Sequence, residues 1–384
     1  MKNLFLTYFL FLITLSSCVY PYNVDLEDEQ KYIPVLEGDI IVGGVSTVNL
    51  STVTSLYDID PYQGVIRGRV RIEDESGRTY EPVDLPKNGP LSRSISIPTY
   101  DAPTDQRYRV VAEIDGRTYS SDWVEPLSPP KISAVEFKAD EHFVRVYVSM
   151  EAGEKATGFI GLTSEETWEF HSDFLPKYDY DQSKREYVER TLEYPNYWCW
   201  TNRYNESLFL VNHSEIPSGE IVSYPYITFA REDSRNHRKY SIKVKARTLD
   251  EKTYLFMYNV GINSSGKHDL FRPNPGEMSS NIRCESDPGV RVLGYVSASI
   301  LATKRVFLDS RYAKEWNRKV GNLLFPNPDN SITMLLGRGF HPIDYMDLYD
   351  EYYAKVIHGM AWGPVRCYDC IAAGGTKDKP DFWE

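Results

Sequence analysis

The stretch Arg107 to Trp123, RYRVVAEIDGRTYSSDW, constrains the fold of this chain more than any other. Apolar and polar residues alternate on both sides of Asp115-Gly116, the period of a strand whose successive side chains point to opposite faces. A two-residue hairpin loop needs positive φ at both central positions, and Asp-Gly accepts it. The same logic holds upstream in GVIRGRVRIEDESGRTYEPV. There Val65, Arg67, Arg69 and Arg71 fall on one face and Ile66, Val70 and Ile72 on the other, before a turn at Glu75-Ser76-Gly77. Two hairpins so close together direct this region to antiparallel sheet.

Short strands at this spacing over residues 32–125 imply an immunoglobulin-like β-sandwich. The three prolines of Glu125-Pro126-Leu127-Ser128-Pro129-Pro130 then prevent a continuing sheet and mark a joint. From Lys131, KISAVEFKADEHFVRVYVSM gives two strands around an Ala-Asp-Glu turn, and its Pro-Pro-Lys-Ile-Ser entry resembles that of a fibronectin type III-like module. Residues 131–384 are expected to form a second, interrupted β-rich domain with helical insertions and a C-terminal Cys-x-x-Cys segment. In KYSIKVKAR, Tyr240, Ile242, Val244 and Ala246 alternate with Lys243, Lys245 and Arg247, whose basic groups read as one solvated strand face. Thr248 is a candidate N-cap for a helix through about Val260, with Asp250 and Glu251 in its first turn. VRVLGYVSASILATKRVFL is again strand-like, and short helices are expected around Tyr345 to Val356. Aromatic residues make up 14%, with 29 Tyr, which suits half-buried pleated faces. The fold class is mainly β, in sandwich modules with a few inserted and C-terminal helices.

The N-terminus carries different information. Lys2 followed by an apolar run from Leu4 to Leu15 has the n-region and h-region of a signal peptide, too short to span a bilayer. Leu15-Ser16-Ser17-Cys18 resembles the lipobox of bacterial lipoproteins, so residues 1–17 are expected to be removed and Cys18 to be lipidated and palmitate-bearing. A thiol is the nucleophile that a thioether-linked diacylglycerol requires, and several acyl chains on one residue make a stable anchor. Residues 18–31 combine Pro21 with Asp25, Glu27, Asp28 and Glu29 and read as an acidic tether. Such a stretch behind a lipidated Cys also resembles the export signal of Bacteroidota lipoproteins that reach the outer face of the outer membrane. The formal charge of −12 becomes −13 without the leader, which contains one Lys and no acid. That balance disfavours nucleic acid as a partner.

Cys199, Cys284, Cys367 and Cys370 remain, and four cysteines allow three pairings in an exported protein. Cys199–Cys284 and a local Cys367–Cys370 loop are the favoured reading. A zinc site would need a second Cys-x-x-Cys clip, and a thioredoxin-like motif would need a βαβ surrounding.

No H-E-x-x-H, G-x-S-x-G or G-x-x-x-x-G-K-[ST] pattern is present, and the seven histidines form no i, i+4 pair. Catalytic residues, metal ligands and cofactors are therefore not assigned. Glu165-Glu166 and Tyr178-Asp179-Tyr180-Asp181 could supply carboxylates, with solvated loops as the default reading. Tyr197, Trp198 and Trp200, with Tyr194 and Tyr204, form the one stretch where ligand binding is weighed against packing beside Cys199.

Tyr197-Trp198-Cys199-Trp200, LFRPNPGEMSSNIRC, VLGYVSASILATKRVFL, Cys367-Tyr368-Asp369-Cys370 with Gly374-Gly375, and a final Lys379-Pro380-Asp381-Phe382-Trp383 follow one another in order. In that order, behind a lipobox, they resemble the Bacteroidota lipoprotein family known as domain of unknown function 4249, over almost the whole mature chain. The resemblance implies a surface-exposed outer-membrane lipoprotein, non-enzymatic, that assists or captures ligand for a TonB-dependent receptor. It also supports Cys199 and Cys284 as partners, since both lie in its landmarks. A structural or adhesive surface protein is the alternative function, and a hydrolase the third.

Overall fold

A computed structural model describes residues 33–53, 68–83, 94–152, 158–264, 280–309, 323–326, 331–350 and 355–383. Cys18, its leader and the acidic tether lie outside the described residues, as does most of LFRPNPGEMSSNIRC.

The chain begins with β1 (Ile33–Val42), β2 (Gly44–Val53), β3 (Gly68–Asp74), β4 (Thr79–Tyr80), β5 (Ser94–Thr99), β6 (Tyr108–Ile114) and β7 (Arg117–Ser121). Past the proline joint come β8 (Lys131–Ala139), β9 (Phe143–Glu151), β10 (Phe159–His171), β11 (Tyr178–Asp181), β12 (Glu186–Glu189) and β13 (Trp198–Asn212). β14 (Ile221–Ala230) and β15 (Lys239–Leu249) lead to helix α1 (Glu251–Ser264). After it follow β16 (Ile282–Cys284), β17 (Val296–Ile300), β18 (Ala302–Asp309), α2 (Ile332–Gly337), β19 (Phe340–Asp350), β20 (Lys355–Pro364) and α3 (Val365–Tyr368).

Both expected hairpins are present. Asp115 and Gly116 take φ of 50° and 78° between β6 and β7, and Gly77 takes 89° between β3 and β4. Val70 and Ile72 turn inward while Arg69 stays exposed, as the alternation requires. The sheet β17-β1-β2-β5 faces the sheet β16-β7-β6-β3-β4. Ile40, Val48 and Ile97 of the first meet Ile72, Val110 and Ala112 of the second in one core. Each of these Ile and Val side chains contributes about 1.5–3 kcal/mol by leaving water.

The sheets do not follow the linear division at 125/131. β16 pairs antiparallel with β7, Ile282 opposite Ser121, and β17 pairs parallel with β1, Gly38 opposite Val296. Residues 282–300 thus complete the first sandwich from far along the sequence. Leu301 alone then separates β17 from β18, which belongs to the second sandwich. The strand-like run VRVLGYVSASILATKRVFL is really two strands in two sheets.

In the second sandwich, β13-β10-β15-β18 faces β14-β9-β8. Tyr240, Ile242, Val244 and Ala246 are fully buried against Val144, Val146, Val148 and Met150. On the outer face of β15, however, Arg247 is not solvated. It is buried and ion-paired with Asp39 of β1, tying the sandwiches together.

Two helix expectations change. Asp250, not Thr248, caps α1: its carboxylate accepts from the Thr253 amide and hydroxyl, both at 2.8 Å. The Thr248 hydroxyl instead donates to the Ser128 carbonyl at 2.6 Å, fastening the joint to β15. The helices expected around Tyr345 to Val356 are instead the hairpin β19–β20, with Met346 opposite Gly359. This hairpin packs beside β11–β12, and Trp362 is buried under Tyr180 and Tyr187 and against Leu335 of α2. Cross-strand aromatic packing of this kind favours strand over helix for a Tyr-rich segment.

Candidate functional site

The site is built where the C-terminal segment crosses the outer face of the second sandwich. At the end of α3, the Asp369 carboxylate accepts from the Ile371 and Ala372 amides at 2.9 and 3.1 Å. It also accepts from Asn196 at 2.8 Å and the Tyr194 hydroxyl at 3.1 Å. Burial alone would raise the Asp369 carboxyl, but these four donors outweigh it and hold it below the ordinary carboxylate range. The turn they fix presents Cys370 to Cys199, and the two form a disulfide with Cα atoms 5.7 Å apart.

This pairing corrects the expected one. Cys284 lies in β16, in the core of the first sandwich, while Cys199 lies in β13 of the second. Cys367 points into a separate core with Phe174 and Ile343. Both Cys284 and Cys367 are buried free thiols, and burial raises the Cys367 thiol above its usual value. Spacing alone favoured the local Cys367–Cys370 loop; the Asp369 turn aims Cys370 away from it.

Beyond the disulfide the chain runs against the edge of β13. A Cβ on Gly375 would stand 2.6 Å from Cys199 Cβ and 2.8 Å from the Cys370 carbonyl, so only glycine fits this approach. Thr376 and Trp200 then exchange backbone hydrogen bonds of 2.8 and 2.9 Å. Lys377 holds the strap from the side, donating to the Pro195 and Trp198 carbonyls. Finally Phe382 stacks on the Arg305 guanidinium at 3.6 Å, and the buried Trp383 packs edge-on to Phe307 at 5.6 Å.

Between strap and sheet lies an open cleft of about 350 Å³. The register of the sheet explains its lining. One row across the outer face reads Tyr204, Glu165, Lys243, Arg305, of which all but Lys243 line the cleft, and the next reads Asn202, Thr167, Ser241, Phe307, of which Asn202 and Thr167 do. Lys245 and Arg305 both pair with Glu165, the latter at 3.5 Å. Burial alone would raise the Glu165 carboxyl, but the Lys245 hydrogen bond and the charges of Lys245, Lys243 and Arg305 outweigh it and hold it low. Tyr204 and Phe382 leave their rings exposed, and Trp200 is half-buried.

The predicted aromatic cluster is therefore divided. Trp200 and Tyr204 line the cleft. Tyr197 stacks on His171 at 5.1 Å, and Trp198 carries the Arg238 guanidinium at 5.2 Å, so these two belong to a neighbouring packed patch. Tyr194 serves Asp369. Glu165 and Glu166 point to opposite faces: Glu166 is buried inside, 3.4 Å from Arg235 and accepting from the Tyr240 hydroxyl at 2.9 Å. Asp179 pairs with Arg190, and Asp181 caps the β11–β12 turn. Among the described residues no group of three His, Cys, Asp or Glu is placed to hold a metal ion.

Arg305 and Phe382 were missed as site residues. The alternation that brings Arg305 to the outer face was visible in ATKRVFL, but the register that sets it across Lys243 from Glu165 was not.

A search of curated proteins finds no match to this chain. Among solved structures, the crystal structure of trypsin-activated α2-macroglobulin from Escherichia coli is similar at 10% identity and a TM-score of 0.17. That similarity covers 86% of this chain and 18% of that one. The family model described as Domain of unknown function (DUF4249) matches residues 19–305. The C-terminal landmarks, from the Cys367-x-x-Cys370 pair onward, lie beyond the matched stretch. With the match spanning most of its length, the chain belongs to the DUF4249 family.

Proposed function

We propose that the chain is a lipid-anchored protein of the outer face of a bacterial outer membrane, which captures a ligand for a TonB-dependent receptor and performs no chemistry of its own. The observation that carries this reading is the cleft under the C-terminal strap. Its walls are exposed rings and paired ions on rigid strands, the kind of surface that recognises a ligand without reorganising. Glu165, held ionised by three cations, suits recognition better than proton transfer, which needs a carboxyl tuned toward neutrality. The leader ending at Cys18 and the acidic Asp25 to Glu29 support the anchor and its outward direction. An adhesive role is the second reading, favoured by the exposed Tyr345 and Val356 on the β19–β20 hairpin. Radiolabelled palmitate tests the anchor: it should enter the native chain and not a Cys18→Ala variant. Equal labelling of both would defeat the reading.

A further inference from the structure

The second sandwich has four edge strands, β13 and β18 in one sheet and β8 and β14 in the other. An open edge presents unpaired N–H and C=O groups, and proteins normally blunt it. β14 carries Pro225, where its register with β9 shifts. β8 shifts register between Ile132 and Ala134, and Lys304 of β18 donates to the Ser133 carbonyl at 2.7 Å, closing that side of the sandwich.

β13 is treated differently. Lys377 covers the Trp198 carbonyl, and Trp200 exchanges its two backbone hydrogen bonds with Thr376. The strap pairs no further along this edge, because Gly374, at a φ of 95°, turns it away and sends its amide to the Ile371 carbonyl. Opposed residues of an antiparallel pair alternate between bonded and non-bonded positions. Trp200 directs its N–H and C=O outward, away from Glu169 of β10, so Asn202 opposite Thr167 and Tyr204 opposite Glu165 do the same. Neither Asn202 nor Tyr204 makes a hydrogen bond outward among the described residues. Four backbone groups therefore stand open beside the cleft that these two residues line.

The ligand whose donors and acceptors repeat at this spacing is another extended backbone. The opening is short: the strap bounds it at Trp200, and a register shift between Leu162 and Ser164 of β10 ends the regular ladder beyond Asn205. A second copy fits it poorly. Its own β13 is 15 residues long and carries a strap, and two chains of formal charge −12 repel each other. A short segment of a partner protein meets neither obstacle. Every second side chain of an added strand lies on the cleft face. There Glu165 and Arg305 pair with each other at 3.5 Å, and the surface left over is the exposed rings of Tyr204 and Phe382 beside Pro380. Such a surface takes an apolar side chain.

We infer that β13 accepts an extended peptide segment of a partner protein as an added strand, paired with the backbones of Asn202 and Tyr204 and laying one apolar side chain in the cleft. This deepens the reading of the cleft as a capture site and rests on it.

The test selects binders to the full chain in detergent from a displayed library of random heptapeptides. The best peptides are resynthesised with N-methyl groups on one or the other alternate set of amides and titrated calorimetrically. Methylating the set that faces β13 should weaken binding by about tenfold or more, since it removes backbone hydrogen bonds, and methylating the other set should not. Asn202→Pro removes one outward N–H and no ladder bond, so it should cost about tenfold in affinity with an unchanged melting temperature. Asn202→Ala keeps that N–H and should bind as the native chain does. Bound peptide should slow hydrogen exchange at the Asn202 and Tyr204 amides and leave Thr201 and Arg203, which already serve β10, as they were. A selection without binders, equal weakening by both methylated sets, or full binding to Asn202→Pro would overturn the inference. A chain that co-purifies with a barrel receptor but pairs with no peptide loses strand addition and keeps the receptor partnership. Peptide pairing without a receptor has the reverse meaning.

Discussion

At the scale of single residues, two buried polar groups govern the second sandwich. Arg235 neutralises the buried Glu166 and also lies over the rings of Trp168 and Phe229 at 5.5 and 4.9 Å. Arg235→Met keeps much of the packing but strands the carboxylate, and should cost about 3 kcal/mol in chemical denaturation. His237 is stacked on His171 at 4.1 Å, and its Nδ1 accepts from the His171 amide at 3.3 Å. Burial, and then the neighbouring His171, push His237 from an ordinary 6.5 down to about 3. The folded state therefore prefers the neutral ring. Its contribution is complete above the unfolded value near 6.5 and is lost as pH falls toward about 3. Melting temperature should fall across that window, and His237→Asn, which does not titrate, should flatten the fall. An unchanged slope would show that the loss comes from other groups. Little of this was legible in the sequence: seven scattered histidines and an adjacent Glu165-Glu166 give no sign of which are buried. Burial here is decided by partners that are distant along the chain.

Secondary elements were read with more success, for a physical reason. Hairpins at Asp115-Gly116 and Gly77 depend on local φ preferences and on period-two alternation, both written in a few consecutive residues. β15 was visible for the same reason. The Tyr345 to Val356 segment was misread as helical because its pairing is settled by aromatic contacts with β11 and β12, remote in sequence. Disulfide connectivity failed in the same way, because spacing cannot reveal that Asp369 turns Cys370 toward a partner 171 residues away. Closing so long a loop constrains the unfolded chain, and breaking it with Cys199→Ser and Cys370→Ser should cost about 2–5 kcal/mol. Non-reducing peptide mapping should recover the peptide of Cys199 joined to that of Cys370. Cys284 and Cys367 should alkylate only after denaturation. A Cys199–Cys284 peptide would contradict the strap.

On the scale of the whole molecule, the sandwiches are not beads on a string. The chain enters the second at Lys131, returns to complete the first with β16 and β17, and crosses again at Leu301. The crossings are held by Thr248 on the joint, by the Arg247–Asp39 pair, and by α1. That helix packs Tyr254 on Phe159 of β10 and Phe256 on Tyr295 just before β17. Asp39→Ala leaves Arg247 buried without its counterion and should cost about 2 kcal/mol, less than for a fully enclosed pair because Asp39 reaches solvent. No local signal announced this return, since β16 and β17 are three and five residues long and look like any other short strand. The same architecture sets the paired strands β15 and β18 beneath the cleft. We propose that this chain, anchored by lipid at Cys18, works beside a receptor. The measurement that tests it most directly is affinity purification of the full chain from detergent-solubilised outer membrane of cells that make it. A TonB-dependent β-barrel receptor recovered in near-equal amount is the predicted result, and its reproducible absence from a folded, palmitate-labelled preparation would contradict the account.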